Sequence, residues 1–143
     1  MATAVNLKID GRAYFGSELE CEVAATTIIY CGQLVFANAN GWAQSTAYSG
    51  GALRLLGIAK EMCDNSAGGN GTNKVVVYRR GWFRHLTFTG TATQAIKGAA
   101  IHAVDNNTIQ LSATSAAYVG VGTLFLAAAQ IELEIDTLTR TLN

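Results

Sequence analysis

One short passage is written twice in this chain. GQLVFANANGWAQ (Gly32 to Gln44) returns as GAAIHAVDNNTIQ (Gly98 to Gln110), each opening on Gly, running through an apolar stretch, turning at Asn-rich residues and closing on Gln. Further on, Leu55-Leu56-Gly57-Ile58 is matched by Tyr118-Val119-Gly120-Val121, and the strand-like KVVVY (Lys74 to Tyr78) by the alternating IELEID (Ile131 to Asp136). The repeat therefore covers about residues 28–81 and 94–136. Two copies are too few for a solenoid, which needs three or more. They point to an all-β, small single-domain β-barrel or sandwich built from two pseudo-repeated β-hairpin units, with residues 23–143 as the β domain.

The elements follow from local pattern. Val5, Leu7 and Ile9 alternate with polar residues before Asp10-Gly11, which reads as a strand and turn. Ile28 to Ala37 is an apolar run, and Asn40-Gly41 is a strong hairpin signal leading to Trp42. Leu53 to Met62 has helical propensity, but Gly57 at its middle and its β-like counterpart favour strand. CDNSAGGNGTN (Cys63 to Asn73) reads as a mobile polar loop. Trp82, Arg84, Leu86 and Phe88 are expected on one face of a strand. The apolar run from Ala116 to Ala129 is too short for a membrane span and reads as a doubly buried strand pair. Residues 1–22 stand outside the repeat, either as an N-terminal arm that orders on a partner or as an edge strand.

Composition narrows function. Of 143 residues, 50% are hydrophobic and only 14% charged, with ten basic against ten acidic; ordinary soluble domains carry about 25% charged residues. Low charge at zero balance favours association, so much of the surface is expected to meet a partner. The chain lacks the basic excess that neutralises phosphates, so no nucleic acid is expected. No membrane partner is expected either, and no basic-then-apolar leader opens the sequence. Cys21, Cys31 and Cys63 show no C-x-x-C spacing and no neighbouring His, which reads as reduced, partly buried thiols and no metal.

Catalytic patterns are weak. His85 and His102 fall on opposite repeats without an i+4 partner. Ser49-Gly50-Gly51 is not a nucleophile elbow. GGNGTNK (Gly68 to Lys74) lacks phosphate-loop spacing and leads into a strand, losing the helix N-terminus that binds phosphate. Asp64-Asn65-Ser66 lacks the alternating ligands of a calcium loop. No enzyme activity and no cofactor are expected. YRRGWFRH (Tyr78 to His85) carries the residue types enriched at interface hot spots; the alternative is a core Trp82 and Phe83 with a solvated Arg rim.

The ordered series of a G-x-x-V strand with its Asn-Gly hairpin, a Leu-Gly-Ile strand, a V-x-V strand ending at Gly81, then Gly98 with its hairpin, Val119-Gly120-Val121 and IELEID resembles the capsid decoration (cement) proteins of tailed bacteriophages. The resemblance covers roughly residues 23–136. It implies a viral structural protein, made in the bacterial host cytoplasm, that docks on the virion's capsid exterior, binds the major capsid protein and itself, often as a homotrimer, and stiffens the shell. Candidate partner-binding residues are then Val5, Leu7, Ile9, Arg12 and Tyr14 of the arm, and Arg79, Arg80, Trp82 and Phe83 of the cluster. Competing readings are another virion part (head-fibre base, tail or baseplate), a carbohydrate-binding module using Trp42, Tyr48 and Trp82 as stacking platforms, and a small hydrolase with a dispersed site.

Overall fold

A computed structural model describes residue 6, residues 11–13 as backbone, and residues 18–45, 54–114 and 116–137. The chain is all-β. Its strands are β1 (Gly11–Ala13), β2 (Glu18–Glu22), β3 (Thr27–Ile29), β4 (Leu34–Ala37), β5 (Ala43–Gln44), β6 (Arg54–Ala59) and β7 (Cys63–Asn65), followed by β8 (Lys74–Tyr78), β9 (Arg80–Phe83) and β10 (Thr87–Phe88). After a single turn of 3-10 helix at Gln94–Ile96 come β11 (Ala100–Ala103), β12 (Thr108–Gln110), β13 (Ala117–Ala127) and β14 (Gln130–Asp136).

The second half closes on itself. β14 pairs with β13, β13 with β11, β11 with β12, β12 with β10, and β10 with β14, a ring of five strands in which only β10–β12 is parallel. The first half repeats this wiring as β8-β6-β4-β5 with β2 beside β8. Val23, directly after β2, completes the circuit through a parallel bridge to Ala43.

The correspondence holds residue by residue. Phe36↔Gln44 and Ala37↔Ala43 in the first hairpin match His102↔Gln110 and Ala103↔Ile109 in the second. Both units carry a β-bulge at the same place, between Val35 and Phe36 and between Ile101 and His102. Backbone bonds recur as well: Gly32 N–H to Ala59 O (2.9 Å) matches Gly98 N–H to Gly122 O (2.8 Å), and Val23 N–H to Asn73 O (3.0 Å) matches Phe88 N–H to Ala129 O (2.9 Å). Gly32 and Gly98 both adopt left-handed φ, 82° and 77°, a conformation that Gly enters without penalty. The Gly that opens each repeated passage is thus a turn requirement met twice.

The structural repeat extends further toward the N-terminus than its sequence trace. β2 with Val23 plays the part of β9 with β10, so Glu18–Glu22 belong to the first barrel and form a strand at one end of its sheet. Within residues 1–22, β1 lies at the edge of the larger sheet beside β9. Asn6 is tied to the first unit, its Oδ1 accepting from Cys31 N–H at 2.7 Å.

Other expectations change. Ala116–Ala129 is not a strand pair: β13 is one strand through Gly122, and Leu124 is exposed. Gly122 passes against the carbonyl of Ile96 instead of turning the chain. Trp82, Arg84, Leu86 and Phe88 do not share a face. The strand breaks at Arg84-His85, so Trp82 and Arg84 lie half-buried on the outside while Leu86 and Phe88 are buried.

Two apolar clusters fill the molecule. Cys21, Val23, Val35, Ala43, Ala59, Val75 and Val77, with Ile29 and Cys63 of the added β3–β7 ribbon, fill the first barrel. Their positional counterparts, among them Phe88, Ile101, Ile109, Ile131 and Leu133, fill the second. Leu34, Phe36, Leu55 and Ile58 join this second cluster. β4 therefore gives Val35 to its own barrel and Leu34 and Phe36 to the neighbour, as the two-residue strand period allows.

Candidate partner-binding surface

The outer face of β9 and β14 is a ladder of opposite charges. Period two places Arg80, Trp82 and Arg84 on one side of the chain and Glu132, Glu134 and Asp136 on the same side of its partner strand. Arg80 pairs with Asp136 (Nε to Oδ2, 3.4 Å) and Arg84 with Glu132 (Nε to Oε2, 3.0 Å). Thr123 donates to the same Glu132 carboxylate at 2.9 Å. Trp82 stands between them, directly across from Glu134. The row continues across neighbouring strands, with Arg12 opposite Trp82, Val121 opposite Glu134 and Ala100 opposite Val121.

This arrangement presents a half-exposed indole in a frame of neutralised arginines. Such partly exposed pairs contribute at most about 1 kcal/mol each. Their larger effect is on charge, since each pairing offsets part of the positive field that Arg80 and Arg84 would otherwise project.

Of the candidate residues, Trp82, Arg80 and Arg79 are half-buried. Phe83 is a correction: it is fully buried, in contact with Tyr78 and His85 rings, because the odd positions of β9 face the barrel interior. Arg12 lies at its register position on β1. Val5, Leu7, Ile9 and Tyr14 lie outside the described residues, as does Tyr48. Of the stacking platforms, Trp42 belongs to the first barrel, beside Gly71, and Trp82 to β9.

The loop 63–73, expected to be mobile, is built around a buried amide. Asn65 is fully buried. Its Nδ2 donates to the carbonyls of Ala24 (2.9 Å), Gly69 (3.0 Å) and Val23 (3.3 Å), and its Oδ1 accepts from Asn73 Nδ2 at 2.8 Å. Cys63–Asn65 pairs with β3. Composition counted the Gly and Asn residues correctly as turn formers but gave no sign that one Asn would organise the rest.

Cys21, Cys31 and Cys63 form no disulfide with one another, with Cys21 and Cys63 buried and Cys31 half-buried. Burial pushes the Cys21 thiol up to about 11, and raises Cys31 and Cys63 as well. A thiol held protonated is a poor nucleophile and a poor metal ligand. His85 Nε2 bonds the Gly32 carbonyl, and His102 Nδ1 the Leu111 carbonyl at 3.1 Å, with its ring edge-on to Tyr118. Both histidines hold backbone. Among the described residues no group of three or more His, Cys, Asp or Glu is placed to bind a metal, and no helix is long and apolar enough to cross a membrane.

The surface that sequence reading missed lies between the barrels. Leu34 N–H donates to Asn106 O at 2.8 Å, and Asn106 Nδ2 donates to Gln33 Oε1. Gln33, Leu34 and Asp105-Asn106-Asn107 are all buried there. The one available signal was that the two hairpins differ at this place, Gln33-Leu34 against Ala99-Ala100.

Compared with family models, curated proteins and solved structures, the chain matches none.

Proposed function

We propose that this chain is a capsid decoration protein of a tailed bacteriophage, binding the major capsid protein on the outside of an assembled head. The observation that carries the reading is the ordered pair of hairpin units opening at Gly32 and Gly98, which resembles that family and is built here as two barrels sharing one interface. A rigid double barrel suits a part that must span neighbouring shell subunits. Low charge, a neutralised ladder around Trp82 and a large apolar fraction suit many modest contacts summed over a lattice, where avidity multiplies affinity. Self-association, as a homotrimer in the family resembled, would give three such contacts at once.

The test is addition of purified protein to expanded, empty heads with vacant decoration sites, read by electron microscopy. Saturating, stoichiometric occupancy supports the proposal. Absence of bound protein on such shells at concentrations well above those of ordinary interfaces would reject it.

A further inference from the structure

The two barrels meet through unlike surfaces. One is the start of β4 with Gln33 and Leu34; the other is the Asp105–Asn107 turn of the second barrel, whose Asn106 carbonyl takes the Leu34 N–H. Because the hairpin pairing is duplicated, each surface has a positional counterpart. The counterpart of the buried turn is Ala39-Asn40-Gly41, and all three residues are exposed. The counterpart of the β4 start is Gly98-Ala99-Ala100, with Gly98 and Ala100 exposed, Ala99 half-buried, and half-buried His102 in the place of Phe36. Inside the chain one surface of each kind is covered; one of each kind is left open.

We propose that the open pair meets between molecules. The Gly98–Ala100 edge of one copy seats on the Ala39–Gly41 turn of the next, continuing head to tail the interface the chain already makes with itself. A second copy is the occupant because the counterpart of each surface in the internal contact is present and exposed on the same chain. The open turn differs in detail from the buried one, with Gly41 in left-handed φ. Such a contact is heterologous: it yields a ring where the rotation closes and a filament where it does not.

The differences between the copies set the strength of the contact. The Leu34 N–H to Asn106 O bond uses backbone alone, so Ala100 N–H and Asn40 O can repeat it. The Gln33–Asn106 amide bond has no equivalent, since Ala99 replaces Gln33. Ala100 and His102 also bury less apolar surface than Leu34 and Phe36. The contact between copies is thus a weaker, exchangeable form of the internal one. This deepens the self-association part of the proposed function but needs no shell to be observed.

The test uses two full-length proteins, Asn40→Cys and Ala100→Cys, each carrying Cys31→Ser to remove the most accessible native thiol. Mixed under mild oxidation, they are expected to give a mixed disulfide dimer that neither gives alone. The unsubstituted chain is expected to gain mass with concentration by sedimentation, and Ala100→Asp to shift it to monomer. Both substituted positions are exposed, and an unchanged near-UV spectrum verifies folding. Absence of the mixed disulfide from folded proteins overturns the proposal, as does equal cross-linking within either parent, which would mean a like-with-like contact. An unsubstituted chain that stays monomeric at every concentration overturns it too. Since no capsid is present, failure here is separate from failure to decorate heads.

Discussion

Gly57 lies against the backbone carbonyl of Tyr78 on the neighbouring strand, so closely that a β-carbon there would overlap the oxygen. Gly120 stands in the same relation to Glu134. The two residues occupy equivalent places beside equivalent bulges, and each lets a strand of its barrel pass where a side chain would force the ladder apart.

Gly57→Ala and Gly120→Ala should therefore each destabilise the fold by roughly 1–3 kcal/mol, the usual cost of overpacking, lowering Tm by about 3–10 °C. Gly41→Ala is the control. Nothing lies within 4 Å of a β-carbon there, and only its φ of +88° is unfavourable, for about 1 kcal/mol. Thermal melts giving all three the same Tm would contradict the close approach.

Asn65→Asp removes the amide N–H groups that serve three carbonyls and buries a carboxylate among them. Asn65→Ala leaves the same carbonyls unserved. Either change should cost about 2–4 kcal/mol. Hydrogen exchange should quicken first at Gly68, Gly71 and Thr72, whose N–H groups bond within this loop or to Val23; unchanged exchange there would remove Asn65 from its organising role.

Stability should fall in alkali. The Cys21 thiol is raised from 9.0 to about 11 by burial, so in the unfolded chain it ionises first. Its contribution is complete below pH 9 and is lost as pH rises toward 11. Cys31 and Cys63 shift in the same direction. Urea midpoints should decline across that window, and Cys21→Ala, though less stable at pH 7, should show a shallower decline. An equal slope in both proteins would assign the loss elsewhere.

The charge ladder and the indole it frames should separate by readout. Arg84→Ala should change stability by less than about 1 kcal/mol. Under the proposed function, Trp82→Ala should lower occupancy on empty heads tenfold or more, as loss of a hot-spot aromatic does, and removal of residues 2–9 should weaken attachment with β1 left in place. Full occupancy after both changes would move the docking surface away from the candidate residues.

Much of the architecture was legible because turn chemistry and apolar period repeat together. The Gly32 and Gly98 passages align in space as they do in sequence, and Leu56-Gly57 and Val119-Gly120 carry the same bulge relation. The N-terminal part of the repeat was not legible: ELECE and RGWF share no residues in register, and only alternation relates Leu19 to Phe83. Strand faces failed at Arg84-His85, where a local break resets the parity that period counting assumes. The contact between barrels was least visible of all, because Gln33 reads as a polar residue in a hairpin until Asn106, far along the chain, arrives to bond it.

Only Arg79 separates the last strand of the first barrel from the first strand of the second. Thr137 fastens that junction from the other side, its N–H donating to Arg79 O at 2.9 Å and its hydroxyl to Leu56 O at 3.1 Å. With a one-residue tether locked in this way, the two units cannot pivot against each other. The molecule acts as a gauge of fixed length: whatever grips both barrels must offer footholds at that spacing, and a support that stretched or curved away from it would have to release one of them.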